Sequence, residues 1–332
     1  MARVVGLGEV MIRLAPPNRQ RIEQSHSFDI EIGGAELNTL VGLSRLGHEC
    51  KLVTRLPDNP LGRLVRNRIR EFGINTEDVK LVGEGRQGLC FFEFGAEPRP
   101  AEVHYDRGDS AMSRIHPDEF DWKDIAKHSD WLHVSGITPA LSPSAAATVE
   151  IALRSTVEAG CRRSLDLNYR SKLWSVERAR AVFDRIIPLS TALFASAGDA
   201  SLLFGIDGRQ FAEQLLQRFG SHGLHAGGIA WIASTTRKES GGLRGMIRGQ
   251  LVSRDTCRES AEYQFDIVDR IGAGDAFASG VIDGFLSGSE DFGIETAAIM
   301  AALQHTIPGD LPIMTWADID SVRVNKTTGV RR

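Results

Sequence analysis

The segment Asp269-Arg270-Ile271-Gly272-Ala273-Gly274-Asp275 places two glycines and a carboxylate at a predicted helix start. Phe277, Val281 and Phe285 recur after it at four-residue spacing, which predicts the helix, and Ile267-Val268 predict a strand before it. A strand, a glycine-rich turn and a helix N-terminus together present unpaired backbone N–H groups and the positive end of a helix dipole, a site suited to phosphate. Asp275 alone reads as a helix cap; beside the glycines it reads as a general base next to the group undergoing transfer. Ala276, Gly280 and Gly284 form an adjacent stripe of small residues, so this helix is expected to lie close to another element. A second glycine pair, Gly33-Gly34, precedes another predicted helix that carries Asn38 one turn in. That spacing fits a tight turn with an exposed Asn, or a close approach of ligand to backbone with Asn38 meeting a hydroxyl.

These segments need a scaffold, and the hydrophobic pattern describes one. Residues 4–8 and 10–14 are short apolar runs ended by Pro16-Pro17 and read as a strand pair. A helix is predicted from 35 to a stop at Gly47, then a strand over 49–54. A second helix opens at Pro57-Asp58-Asn59, with Leu61, Leu64, Val65, Ile69 and Phe72 on one face. Residues 89–94 and 102–105 bracket a turn and predict a hairpin outside the alternation, a small β appendage. Strands over 131–134, 164–167, 192–195 and 229–233 then alternate with helices over 144–159, 176–187 and near 199–204. Residues 297–305 are expected to be the last helix but one, and the polar tail from Asn325 to fray. Repeated βα units predict an α/β fold, a mostly parallel central sheet with helices on both faces.

Composition bounds the partners. The 332 residues carry 39 Lys+Arg against 43 Asp+Glu, a net charge of −4, so the basic excess of a nucleic-acid binder is missing. No apolar run is long enough for a membrane span. Four cysteines without a CxxC pair offer neither a disulfide framework nor a zinc ribbon, and a cytoplasmic protein is expected. Several tempting signals fail on context. Asp291-Phe292-Gly293 comes without an H-R-D loop, and Gly6-Leu7-Gly8 is followed by a strand instead of a helix. His222 and His225 sit among glycines as a solvated loop, and Arg63, Arg66, Arg68 and Arg70 form a solvated helix face.

Together the two glycine segments, over 33–47 and 269–280, resemble the paired signatures of the ribokinase-like, or PfkB, carbohydrate kinases. Gly8-Glu9 with Met11, Tyr105-Asp106-Arg107 with Ser110-Ala111, Asp166-Leu167-Asn168-Tyr169-Arg170 with Leu173-Trp174, and His305-Thr306-Ile307-Pro308-Gly309-Asp310 are similar to the 2-keto-3-deoxygluconate kinases. The likeness runs from Val4 to about Val322. It implies one ribokinase-like α/β domain over 1–332, with a small β lid inserted from about 11–33 and 86–108 that closes over the sugar. It also implies ATP, Mg2+ and, as an option, a monovalent cation.

The implied substrate is a small-molecule sugar acid, 2-dehydro-3-deoxy-D-gluconate or one like it, phosphorylated on its terminal hydroxyl. In this resemblance Asp275 takes the proton from the attacking hydroxyl, and the backbone of Gly272, Ala273 and Gly274 stabilises charge on the transferring phosphoryl group. Gly34 and Asn38 hold sugar hydroxyls. Tyr105, Arg107 and Arg170 contact the sugar acid, and two arginines suit a carboxylate that a neutral sugar lacks. Thr235, Thr236 and Arg237 match a nucleotide-side loop. Ser196 and Asp199 stand where the family carries N-x-x-E, on the nucleotide and metal sides respectively. Two other readings stay open: a kinase of fructose, ribose or a nucleoside, and a catalytically silent sugar-binding protein on the same fold. The altered Ser196/Asp199 pair favours the silent protein and the intact 272–275 turn opposes it. No nucleic-acid or membrane partner is expected; an exposed face on the β appendage makes a homodimer the expectation.

Overall fold

The computed structural model describes residues 1–96, 98–220, 228–239 and 243–325; His222, His225 and the tail beyond Asn325 lie outside these. In chain order the strands are β1 (Arg3–Leu7), β2 (Met11–Ala15), β3 (Asp29–Gly33), β4 (Glu49–Pro57), β5 (Val79–Val82), β6 (Leu89–Glu93) and β7 (Glu102–Asp106). They continue as β8 (Trp131–Ser135), β9 (Arg162–Asp166), β10 (Ala192–Phe194), β11 (Trp231–Glu239), β12 (Arg244–Val252), β13 (Cys257–Glu259) and β14 (Tyr263–Asp266). The main sheet has the order β13-β12-β11-β10-β9-β8-β1-β4-β5, with β14 also on β12. From β11 to β5 every pairing is parallel.

Helices cover both faces because the central strands bury alternate side chains on both. In β1, Val4 joins one apolar cluster while Val5 and Leu7 join the other. The first cluster is closed by the helices Ala35–Arg45, Pro60–Glu71, Ala273–Ser287 and Glu290–Gln304, the second by Pro143–Glu158, Val176–Ile186 and Phe211–Phe219. Local chemistry sets where these helices begin. Asn59 accepts hydrogen bonds from Leu61 and Gly62 N–H with Pro60 in the first turn, and Ser142 caps Pro143–Glu158 through Ala145 N–H. Among the described residues no helix is long and apolar enough to cross a membrane.

A second, four-stranded sheet has the order β3-β2-β6-β7, which assembles the 89–105 hairpin with strands from either side of Pro16. Residues 4–8 and 10–14 are therefore not a pair. β1 is hydrogen-bonded to β4 on one side and β8 on the other, so it has no free edge for β2, and Gly8-Glu9-Val10 carries the chain from the main sheet into the second one.

Three further expectations change. The βα rhythm missed the antiparallel edge, where β12, β13 and β14 extend the parallel strands. The strand expected at Ile267-Val268 ends at Asp266, because the N–H groups of Val268 and Asp269 are taken by the His305 carbonyl. The helix expected over 297–305 begins at Glu290 and is indeed followed by one more, Trp316–Asn325. Asp291 is simply a surface residue of its first turn, bonded to Arg258 at 2.7 Å.

The small-residue stripe on Ala273–Ser287 has a clear purpose. A Cβ on Gly280 would overlap the backbone of Ala297, and one on Gly284 would meet Gly293, so these glycines let two helix backbones touch. On its other side the helix packs against Ala35–Arg45, where Ser279 Oγ donates to the Thr39 carbonyl at 3.0 Å and leaves no room for a Cβ on Gly42. Replacing Gly280 by Leu should force the helices apart and destabilise the protein by about 3 kcal/mol, the upper part of the usual overpacking range. Denaturant unfolding of Gly280→Leu against wild type measures this; an unchanged midpoint would mean the contact is not as close as described.

Candidate active site

The tight packing of Ala35–Arg45 on Ala273–Ser287 brings two helix N-termini side by side, each entered through glycine. Gly272 precedes the second helix with φ +80°, a left-handed conformation that favours glycine, and its Cα faces the Asp310 carbonyl too closely for any side chain. Gly34 is extended, so it is not needed for a turn; a Cβ there would strike the carbonyl of Glu9, and one on Gly33 would strike the Asp310 carboxylate. The Gly33-Gly34 pair thus serves close approach, as one reading of the sequence has it, but of protein groups.

Asn38 and Asp275 lie in the first turns of the two helices and meet there, Asn38 Nδ2 donating to Asp275 Oδ2 at 2.7 Å. Asn38 Oδ1 accepts from Gly34 N–H at 3.2 Å. With both ends of the amide engaged, Asn38 keeps only one N–H for a ligand. It also holds Asp275, a contact that the sequence reading did not anticipate. Glu36, which the sequence reading passed over, fixes the same helix start. Its Oε1 accepts from Ser135 N–H, Ser135 Oγ and Thr138 Oγ1, each at 2.8 Å, pinning the helix to the end of β8.

Above these N-termini opens a cleft of about 370 Å3 at the C-terminal ends of the parallel strands, the side of such sheets where ligands bind. Of the residues singled out from the sequence, Gly34 and Asn38, Tyr105 of β7 and Arg107 just past it, Arg170, Ser196 and Asp199, Thr235 and Arg237, and Gly272, Ala273, Gly274 and Asp275 line it. Thr235, Thr236 and Arg237 are not in a loop, however. They continue β11, held by an antiparallel ladder to β12 that lengthens the strand past its parallel neighbour. Ala233, Ser234, Thr235 and Arg237 of this strand line the cleft, and Thr236 does not.

The two arginines differ. Arg107 is buried, and its Nε donates to Glu9 Oε2 at 2.8 Å while Nη2 contacts the same oxygen. Arg170 is exposed at the rim. Ser196 caps the Ala197–Phe204 helix by accepting from Asp199 N–H at 3.0 Å, and donates to Asp199 Oδ2 at 2.8 Å, so this pair is a capping unit as well as part of the lining.

Two acids without an assigned role in the sequence reading also face the cleft, Asp166 at the end of β9 and Asp310. Both stood within the motifs quoted above, but nothing in their local pattern marks them as cleft residues.

The cleft is electrostatically strained toward protonated acids. Burial pushes Asp275 well above the ordinary carboxylate range; the Asn38 hydrogen bond opposes this, while Asp166, Asp310 and Glu36 add to it. Burial and then Asp199 raise Asp166 to about 7, with Arg170 pulling it back. Burial raises Asp310 to about 6 against the pull of Arg13. Several carboxylates sharing one desolvated space is the arrangement expected of a functional site and not of a fold-stabilising one.

A family model described as pfkB family carbohydrate kinase matches residues 1–306. The chain is 35% identical over 337 aligned positions to 2-dehydro-3-deoxygalactonokinase of Haloferax volcanii, covering 100% of this chain and 99% of that protein. It superimposes on the crystal structure of 2-dehydro-3-deoxygluconokinase from Thermotoga maritima with a TM-score of 0.90 and 35% identity, covering 96% of this chain and 97% of that one. An E. coli structure of the Ribokinase II type, solved in complex with ATP and Mg2+, shares the fold at a TM-score of 0.80, 18% identity, and 97% and 98% coverage.

The raised titration of Asp275 has a stability consequence. The native protein holds a proton there at pH values where the unfolded chain has lost it, so stability falls as pH rises from the ordinary Asp range through the folded value. Asp275→Asn keeps an acceptor for Asn38 and removes the buried charge. It should be more stable than wild type at pH 8, with the gain shrinking toward pH 4. Thermal unfolding at the two pH values checks this; a variant less stable at pH 8 would contradict it.

Proposed function

The chain belongs to the pfkB family of carbohydrate kinases, and on that footing we propose that it transfers the γ-phosphoryl group of ATP to the terminal hydroxyl of a 2-dehydro-3-deoxy sugar acid. The observation that carries this reading is Asp275, a desolvated carboxylate in the first turn of the Ala273–Ser287 helix, inside a cleft that also holds Arg107 and Arg170. A carboxylate raised in this way is a stronger base when ionised, and its neighbours are the backbone donors of a helix start. Asp275 removes the hydroxyl proton as the oxygen attacks. The N–H groups of Ala273, Gly274 and Asp275 face the developing phosphoryl charge, and Gly274 has open space above it for that purpose.

Tyr105, Arg107 and Arg170 hold the acid end of the substrate, with Gly34 and the remaining Asn38 N–H near its hydroxyls. Thr235 and Arg237 on β11, with Ser196, form the nucleotide side. The donor set suits Mg2+: Asp166, Asp199 and the Ser196 hydroxyl are hard oxygen ligands facing one space. No cluster of three metal-binding side chains occurs among the described residues, so such an ion would complete its shell with phosphate and water, as Mg2+ commonly does. Bound there, it neutralises phosphate charge. The second sheet, which contributes Tyr105 and Arg107, acts as a lid that excludes water during transfer.

The two relatives at 35% identity are named for the galactonate and the gluconate forms of the substrate, which differ in the configuration of one hydroxyl. We assign 2-dehydro-3-deoxy-D-gluconate first and its galactonate epimer as the specific competitor. A coupled ADP-release assay over both acids, fructose, ribose and a nucleoside, with and without Mg2+, tests the reading. Turnover should require Mg2+ and favour the acids by at least ~10²-fold in kcat/KM; a preference for a neutral sugar would overturn the assignment, and absence of turnover with all of them would favour a silent binding protein.

Two variants refine it. Asp275→Asn should lose roughly 10²–10⁴-fold in kcat, the usual contribution of a general base. Arg170→Leu should lower kcat/KM for the acid by roughly 10–10²-fold, one charge-assisted bond, and leave the neutral sugars nearly unchanged. Arg107 is the poorer probe, since its removal also strands Glu9 as a buried, unpaired charge.

A further inference from the structure

Arg13 is the third residue of β2, in the second sheet, yet its guanidinium is buried at the main domain, with only 2% of the residue exposed. Nη2 donates to Asp269 Oδ2 at 2.7 Å and Nη1 to Asp310 Oδ1. Its face lies on the Phe92 ring, 4.1 Å from the centroid, which fixes its plane from the lid side. Asp269 is itself a junction. Oδ1 accepts from Arg270 N–H at 2.7 Å and Ile271 N–H at 3.2 Å, and Oδ2 accepts from Gly309 N–H at 3.1 Å. One carboxylate therefore ties the turn entering the Ala273–Ser287 helix to the turn that presents Asp310, and Arg13 neutralises it while reaching across to Asp310 itself.

We propose that Arg13 is a positioning residue for phosphoryl transfer: from a lid strand it holds Asp269 and Asp310 together, and so sets the phosphate-binding turn and the Asp310 carboxylate in register with the closed second sheet. The geometry separates this role from ordinary core packing. A hydrophobic side chain at this position would fill the same volume against Phe92 but leave Asp269 and Asp310 as two facing anions. They would repel, and the two turns would lose their common anchor. A lysine keeps the charge but presents a single point donor in place of the fork that spans two carboxylates.

The inference rests on the kinase reading for its catalytic consequence but not for its structural one, and the experiment separates them. Hydrogen exchange on the substrate-free full chain compares wild type with Arg13→Met. The amides of Arg270, Ile271 and Gly309 should exchange at least tenfold faster in the variant, while those of Pro143–Glu158, on the far face of the sheet, stay within twofold. In the ADP-release assay kcat should fall at least tenfold with KM for ATP changed less than twofold, and added guanidinium ion should restore part of kcat in Arg13→Ala. Unchanged exchange at the three amides, or loss of protection spread equally over the whole chain, overturns the proposal. If Arg13→Met does not fold, Arg13→Lys carries the test: faster exchange at the same amides supports the proposal, and wild-type exchange with wild-type kcat overturns it. Failure of wild type to turn over any sugar acid would instead strike the kinase reading and leave the exchange result to decide the role of Arg13.

Discussion

Placing one half-buried carboxylate, Asp275, where two helices begin side by side is the constraint on which the rest of this structure depends. An acid in that position is stabilised as an anion by the dipoles of two helices that start beside it and by the Asn38 amide, and is destabilised by burial and by neighbouring acids. The two helices can start together only if their backbones run close. That accounts for Gly42 facing Ser279, while on the opposite side Gly280 and Gly284 let Ala273–Ser287 lie against Ala297 and Gly293 of the next helix. Bulk at any of these positions, none of which touches the cleft, would displace the carboxylate from its partner.

The second sheet is joined to the main domain by charge as well as by chain. Two arginines, Arg13 on β2 and Arg107 just past the end of β7, reach inward. Arg107 pairs with Glu9, which lies in the Gly8-Glu9-Val10 crossing between the sheets, and Arg13 pairs with Asp269 and Asp310. Paired buried charges of this kind contribute little net stability compared with hydrophobic contacts, but they are costly to misalign. Such a seam favours one relative placement of the sheets over sliding alternatives, which suits a cleft built from residues on both.

The acids that line the cleft also oppose folding. Asp166, Asp275 and Asp310 all titrate above their ordinary range, and burial is the first cause in each case. The apolar clusters on the two faces of the sheet offset this cost, and the strain is confined to the strand ends where the cleft opens. Stability and chemistry are thereby assigned to different layers of the same sheet.

Much of this was legible in the residues alone, and the reason is local. Period-two and period-3.6 hydrophobic patterns specify βα units, and a glycine-rich turn specifies where the next helix begins, because both follow from contacts within a few residues. The small stripe at Ala276, Gly280 and Gly284 likewise announced a close neighbour without naming it. What tertiary structure alone decided is which distant groups share a partner. β2 left β1 because both edges of β1 were already taken; Thr235 and Arg237 stayed in a strand because β12 returns antiparallel beside them; and Asn38 turned to Asp275, 237 residues away, because two helices pack along glycine. Arg13 sat unremarked in a strand pattern, since nothing within its own segment shows that Asp269 and Asp310 converge on it. Hydrogen-bond and charge pairing over such separations depends on the whole sheet order, and no short window of sequence contains that order.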